Sequence, residues 1–193
     1  MVVQIDTGRK IGKNALIYGG TARVGGLAYK AWCEWQDGKP ASASTPPAAA
    51  VSGEAQPAVP PRDSAFLPSS DQQQEELGRG LVRAMIGAAK ADGRIDSAER
   101  QRIEEQISAL GLDSDIRNFV RDELTAPLDL DAIVAPAVCE ETAAEIYAAS
   151  LMAIDRTRAA EQAYLALLAS RLNLAPGLVE HLNANVEAAM QHD

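Results

Sequence analysis

Ala88-Ala89-Lys90-Ala91-Asp92-Gly93-Arg94-Ile95-Asp96-Ser97-Ala98-Glu99 is the stretch on which the reading of the fold turns. Upstream of it, Leu77, Leu81, Ala84, Met85 and Ala88 recur at spacings of three and four. This is one apolar face of a helix that Ser69 or Ser70 can cap and Asp92-Gly93 stops. Downstream, Asp96 and Glu99 stand in capping-box spacing and open a second helix. That helix carries Ile103, Ile107 and Leu110 inward and ends at Gly111. The stretch is therefore a helix, an acidic turn and a helix.

The same pattern continues toward the C terminus. A third helix over Ser114–Leu124 is expected to bury Ile116, Phe119 and Val120, and Thr125-Ala126-Pro127 ends it. A short helix follows over Asp129–Ala135. A longer one over Glu140–Ala153 turns Ala144, Tyr147, Ala148 and Leu151 inward. Two more run over about Thr157–Leu172 and from Pro176, a favourable first helical position, to about Ala189. The chain is 47% hydrophobic but only 4% aromatic, and its apolar mass is Ala and Leu, which suits helices better than strands. An internal repeat is also present. At an offset of 62, Glu99 meets Glu161, Ile103 meets Leu165, Leu110 meets Leu172, Leu112 meets Leu174, Ile116 meets Leu178 and Val120 meets Leu182. Asp92 falls opposite Asp155 at an offset of 63. The expected architecture is an all-α bundle of about seven helices with a pseudo-twofold duplication.

The rest of the chain differs in chemistry. Residues 1–39 are Gly-rich and carry +3, residues 40–70 carry −1, and residues 71–193 carry −11 of the overall −9. Seven of the ten prolines fall in residues 40–70, which read as a Pro/Ala-rich flexible linker ahead of a helical domain over 71–193. Between Lys13 and Lys30 lie 16 residues with Arg23 among them. This is too short and too charged for a complete span, which needs about 20 apolar residues. Gly19, Gly20, Gly25 and Gly26 permit close helix approach, and Trp32 and Trp35 suit an interface. Residues 1–39 are accordingly a membrane-surface or re-entrant segment, or a mobile or partner-docked arm, with a complete span the minor alternative. The acidic balance of the domain argues against a nucleic-acid partner, and no phosphate loop, nucleophile elbow or Ser/His/Asp spacing marks a small-molecule substrate site. With two cysteines and two histidines, neither a Cys/His zinc module nor a disulfide framework can be built.

The acidic turns hold the candidate site. Asp92, Gly93, Ile95, Asp96 and Glu99 match the second half of an EF-hand loop, where hard oxygen ligands surround a sharp Gly turn and a helical Glu closes the shell. The two earlier ligand positions are Ala88 and Lys90, so a complete calcium loop is excluded. The duplication offers Asp92, Asp96, Glu99, Asp155 and Glu161 as one pooled set of ligands for a divalent cation. Calcium or magnesium fits such ligands better than zinc. The alternative is that Asp96 and Glu99 only cap a helix and Glu161 only favours a helix start through the dipole. Glu104-Glu105 and Glu140-Glu141 read as solvated faces, His181 as a packing residue, and Cys139 as a small hydrophobe near a helix start.

The run from Ala88 to Glu99, with Ala149-Ser150-Leu151-Met152-Ala153-Ile154-Asp155 and the stretch Glu161–Leu174, resembles the TerB-like tellurite-resistance superfamily. Within it, the chain is similar to the YebE-like bacterial proteins of unknown function, over about residues 75–190 and in the Gly-rich N-terminal stretch. The resemblance implies a TerB-like helical fold, a bacterial protein on the cytoplasmic side associated with the inner membrane, and an acidic metal-binding patch. That patch maps to Asp92, Asp96, Glu99, Asp155 and Glu161; the second turn has no Gly after Asp155, and Arg156 and Arg158 stand beside it. The expected function is a non-enzymatic interaction or stress-response module, with no catalytic residues. The alternatives are a structural helical scaffold and a metal-dependent hydrolytic enzyme.

Overall fold

Ser70 starts the bundle. Its Oγ accepts from the Gln73 backbone N–H at 3.2 Å, satisfying one of the donors a helix start leaves unpaired. In the computed structural model, which describes residues 23–38, 59–91, 114–154 and 158–191, seven helices are present among those residues, with no strand. Helix α1 covers residues 23–36. The others are α2 (Asp71–Ala89), α3 (Ser114–Thr125), α4 (Leu130–Val134), α5 (Glu140–Met152), α6 (Ala159–Arg171) and α7 (Pro176–Met190). The helix expected over Asp96–Gly111 lies outside the described residues, as do the turns holding Asp92 and Asp155.

Helices α2 and α5 form the central pair. Ala84 and Ala88 on one and Ala144, Ala148 and Ala149 on the other are all buried, and small side chains let the two backbones approach closely. Helix α5 is buried on every side from Thr142 to Leu151, not along the single face expected from its periodicity. A helix covered all round needs no amphipathic stripe. Against this pair pack α3 on α2, α7 on α5, and the short α4 and α6 between them. Helices α2 and α5 thus meet each other, α2 packs on α3, and α5 packs on α7.

Two local features sharpen the correspondence. Helix α6 ends with Asn173 in the left-handed region at φ 52°. The Leu174 N–H reaches back to the Ala169 carbonyl at 3.1 Å, and the Asn173 N–H to that of Ser170 at 3.1 Å. This is a Schellman ending, and its hydrophobic anchor Leu174 is buried. The offset of 62 sets Gly111 and Leu112 opposite Asn173 and Leu174. In the first half, Lys90 follows α2 and donates from Nζ to the carbonyls of Glu123 and Ala126, the latter at 2.6 Å. A cation here meets the negative end of the α3 dipole. Ala88 and Lys90, the positions that lack calcium ligands, therefore serve the core and the α3 terminus.

Helix α3 differs from its expected packing. Val120 and Leu124 are buried, but Ile116 and Phe119 are only half-covered. Arg79 and Arg83 of α2 lie over the Phe119 ring, 5.2 and 5.4 Å from its centroid, and Arg83 pairs with Glu123 at 2.6 Å. The aromatic face is thus closed by guanidinium groups and not by core side chains.

Stretches of unlike composition meet in one core. Val24, Ala28 and Ala31 of α1 and Phe66 of the segment before α2 join the buried cluster that includes Leu81, Ile146 and Leu178. Phe66 receives Tyr29 and Trp32 edge-on, at centroid distances of 5.4 and 5.9 Å. Trp35 lies against α7 at Gly177, where a Cβ would stand 3.1 Å from its Nε1. Gly25 and Gly26 of α1 are buried inside the protein, so at these positions the small residues serve close approach within the chain itself.

Candidate functional site

Of the five carboxylates expected to pool as metal ligands, Glu161 is described; Asp92, Asp96, Glu99 and Asp155 lie outside the described residues. Glu161 stands in the first turn of α6 and is only 7% exposed. The N-cap Arg158 makes no side-chain cap bond. Its guanidinium approaches Glu161 Oε1 at 3.8 Å, while Oε2 is buried and has no partner. An unpaired carboxylate oxygen in that position is costly unless something supplies a positive charge or a proton. The helix start provides part of that charge through its dipole. Among the described residues, no three His, Cys, Asp or Glu side chains gather closely enough to hold a metal ion.

A second carboxyl stands out more sharply and was not singled out from the sequence. Glu145, in the second turn of α5, is 1% exposed, and its Oε2 has no hydrogen-bond partner. Burial alone pushes its carboxyl from the ordinary 4.5 up to about 9, so it is neutral at neutral pH. Its Oε1 lies 2.9 Å from where a Cβ on Gly25 would stand, and the Phe66 carbonyl is 3.5 Å from the same point. The carboxyl is therefore roofed by the α1 backbone and the segment before α2. The one sequence signal is its setting: Thr142-Ala143-Ala144-Glu145-Ile146-Tyr147-Ala148-Ala149 places a lone acid in an otherwise apolar run.

Other buried polar groups line the same joints. Asn185 of α7 donates from Nδ2 to Glu34 Oε2 of α1 at 2.8 Å and to the His181 carbonyl at 3.0 Å, leaving Oδ1 without a partner. Trp32 Nε1 donates to Glu140 Oε2 at 3.3 Å, so one member of the Glu140-Glu141 pair helps hold α1. His181 is buried, with Nδ1 2.7 Å from the Gly177 carbonyl of its own helix. Cys139 is the N-cap of α5, half-covered, with Sγ 3.1 Å from Thr142 Oγ1; Cys33 and Cys139 are both free thiols. The Tyr164 hydroxyl is buried beside Gly87 and near Ser150; burial raises its pKa, and the Ser150 hydroxyl offsets part of that rise. Among the described residues, no helix is long and apolar enough to cross a membrane.

Comparison with known proteins agrees with this picture at the level of family. A curated protein of Yersinia enterocolitica, described as "Uncharacterized protein in ampR 5'region", is 29% identical over 111 residues, covering 58% of this chain and 80% of its own length. No solved structure matches the chain. A family model described as "Protein of unknown function (DUF533)" matches residues 1–186. A match over nearly the whole length, from the Gly-rich N terminus through α7, places the chain in the DUF533 family.

Proposed function

We propose that the chain is a non-enzymatic, TerB-like interaction or stress-response module that binds a divalent cation at its duplicated acidic turns and works near a membrane surface. The observation that carries the cation reading is Glu161, whose buried Oε2 is left without a partner at the start of α6. A hard cation would take that oxygen directly, together with carboxylates from the two turns. Asp92, Asp96, Glu99 and Asp155 are the residues that would complete the shell. The membrane reading is supported by the +3 charge of residues 1–39, which suits an anionic lipid surface.

The second reading has its own observation. Glu161 stands in the first turn of α6 with the Arg158 guanidinium 3.8 Å away, so the helix start and a side-chain cation already answer its charge without a metal. Calorimetric titration of the full chain with calcium, magnesium, manganese and zinc separates the two. Cation binding predicts a saturable heat with one or more of these metals, which Glu161→Gln and Asp92→Asn each weaken by about tenfold or more. No heat at millimolar metal, with the variants as stable as the parent, leaves the helix-start role alone.

A further inference from the structure

Helix α1 covers Glu145, a carboxyl with 1% exposure whose Oε2 has no hydrogen-bond partner. The contact is close: Gly25 faces Glu145 Oε1 at a distance that a methyl group would violate. Helix α1 is further attached through Val24, Ala28 and Ala31 in the core, Tyr29 and Trp32 edge-on to Phe66, Trp32 to Glu140, Trp35 on Gly177 and Glu34 to Asn185. The fully buried contacts are a valine and two alanines, and the larger side chains of α1, Leu27, Tyr29, Trp32 and Trp35, are only partly buried against the core. The chain that follows α1 in sequence is the Pro/Ala-rich stretch read as a linker.

We propose that α1 is a detachable clasp on the bundle and that the protonation state of Glu145 beneath it sets how tightly the clasp holds. A neutral carboxyl tolerates the apolar roof and needs one acceptor for its proton. An ionised one demands water or a counter-charge, and lifting α1 is the direct way to supply water.

Among the described residues, the cations are committed elsewhere or exposed. Lys30 turns to Glu34 on α1, Arg79 to Glu75 on α2, Arg83 to Glu123 across α2 and α3, Arg158 to Glu161 on α6, and Arg171 to Asp131 across α6 and α4. Arg23 on α1, Arg62 and Asp63 beside Phe66, and Glu180 and Glu187 on α7 are exposed. His181 on α7 faces the Gly177 carbonyl, and Glu140 receives Trp32. Burial is the sole cause of the upward shift to about 9.

The sign follows. Docked, Glu145 holds its proton to about pH 9; released into water it titrates near its ordinary 4.5. Between these values the docked form binds more protons, so each pH unit upward weakens docking tenfold, and acid tightens the clasp.

The protein carries its own probe, because both of its tryptophans, Trp32 and Trp35, lie on α1. Urea titrations of the full chain, followed in parallel by tryptophan emission and far-ultraviolet circular dichroism at about pH 5.5 and about pH 8.5, test the clasp. The expected result is an emission transition that precedes the loss of helix at the higher pH. Its midpoint falls as pH rises in the parent and stays put in Glu145→Gln and Glu145→Leu. Gly25→Ala lowers the emission midpoint at both pH values and keeps the pH dependence. Coincident transitions that move together at both pH values would show that Glu145 acts on the whole bundle and overturn the clasp. A parental pH dependence surviving in both Glu145 variants, which leave His181 in place, overturns the role of Glu145.

Discussion

Glu145 and Gly25 show how two residues that look unremarkable in sequence control a contact. A carboxyl with 1% exposure and no partner is tolerated because it keeps its proton. Replacing it by Gln retains the shape and removes the ionisation. Glu145→Gln is therefore expected to raise stability in mildly alkaline solution and to change it little near pH 4, as read by thermal midpoints across that range. Equal shifts at both ends would contradict the linkage. Glu161 is a different case, exposed a little more and placed where a helix dipole favours its charge. Neither carboxyl's burial was legible from residue type. The spacing that singled out Glu161 came from a turn repeat, whereas Glu145 was hidden by reading α5 as a one-faced helix when neighbours cover it all round.

At the scale of elements, the caps and breaks were the most legible part. Ser70, Asp129 and Pro176 start helices where local chemistry says they should, because a cap or a fixed φ acts within one turn. What local chemistry could not supply was the destination of α1. Gly25 and Gly26 permit close approach equally well in lipid or in protein, and only the complementary surface of α5 and Phe66 decides. Close approach is also the principle at the α2–α4 contact. A Cβ on Gly87 would stand 2.3 Å from Ile133 Cδ1 and 3.3 Å from the Tyr164 hydroxyl. In Gly87→Ala the gain in helix propensity, about 1 kcal/mol, is set against overpacking of about 1–3 kcal/mol. A net loss of stability is expected in urea titration. Ile133→Val in the same chain removes the clashing methyl group and should restore most of that loss. Failure of the double variant to recover would place the strain elsewhere.

At the scale of the whole molecule, the described residues form a helical bundle with α2 and α5 at its centre. Because so much of the core is alanine, the few large side chains carry a disproportionate share of the burial. Leu178, fully buried at the start of α7, is expected to cost about 2–5 kcal/mol on truncation to Ala, measured as a fall in the urea midpoint. A smaller loss would mean that α7 collapses onto α5 without a cavity. The fold class was readable because helical periodicity and the repeat agree over the C-terminal two-thirds of the chain. The union of α1 with that core was not, since the Pro/Ala-rich stretch between them separates the partners in sequence. Amide hydrogen exchange of the full chain in mildly acidic buffer tests the union of α1 with the core most directly. Amides of α1 between Leu27 and Trp35 should be protected to the same order of magnitude as those of α3, which packs on α2, and lose that protection selectively as pH rises once intrinsic exchange is corrected for. Exchange of α1 at the rate of an unstructured peptide under acidic conditions, beside a protected α2 and α5, would contradict it.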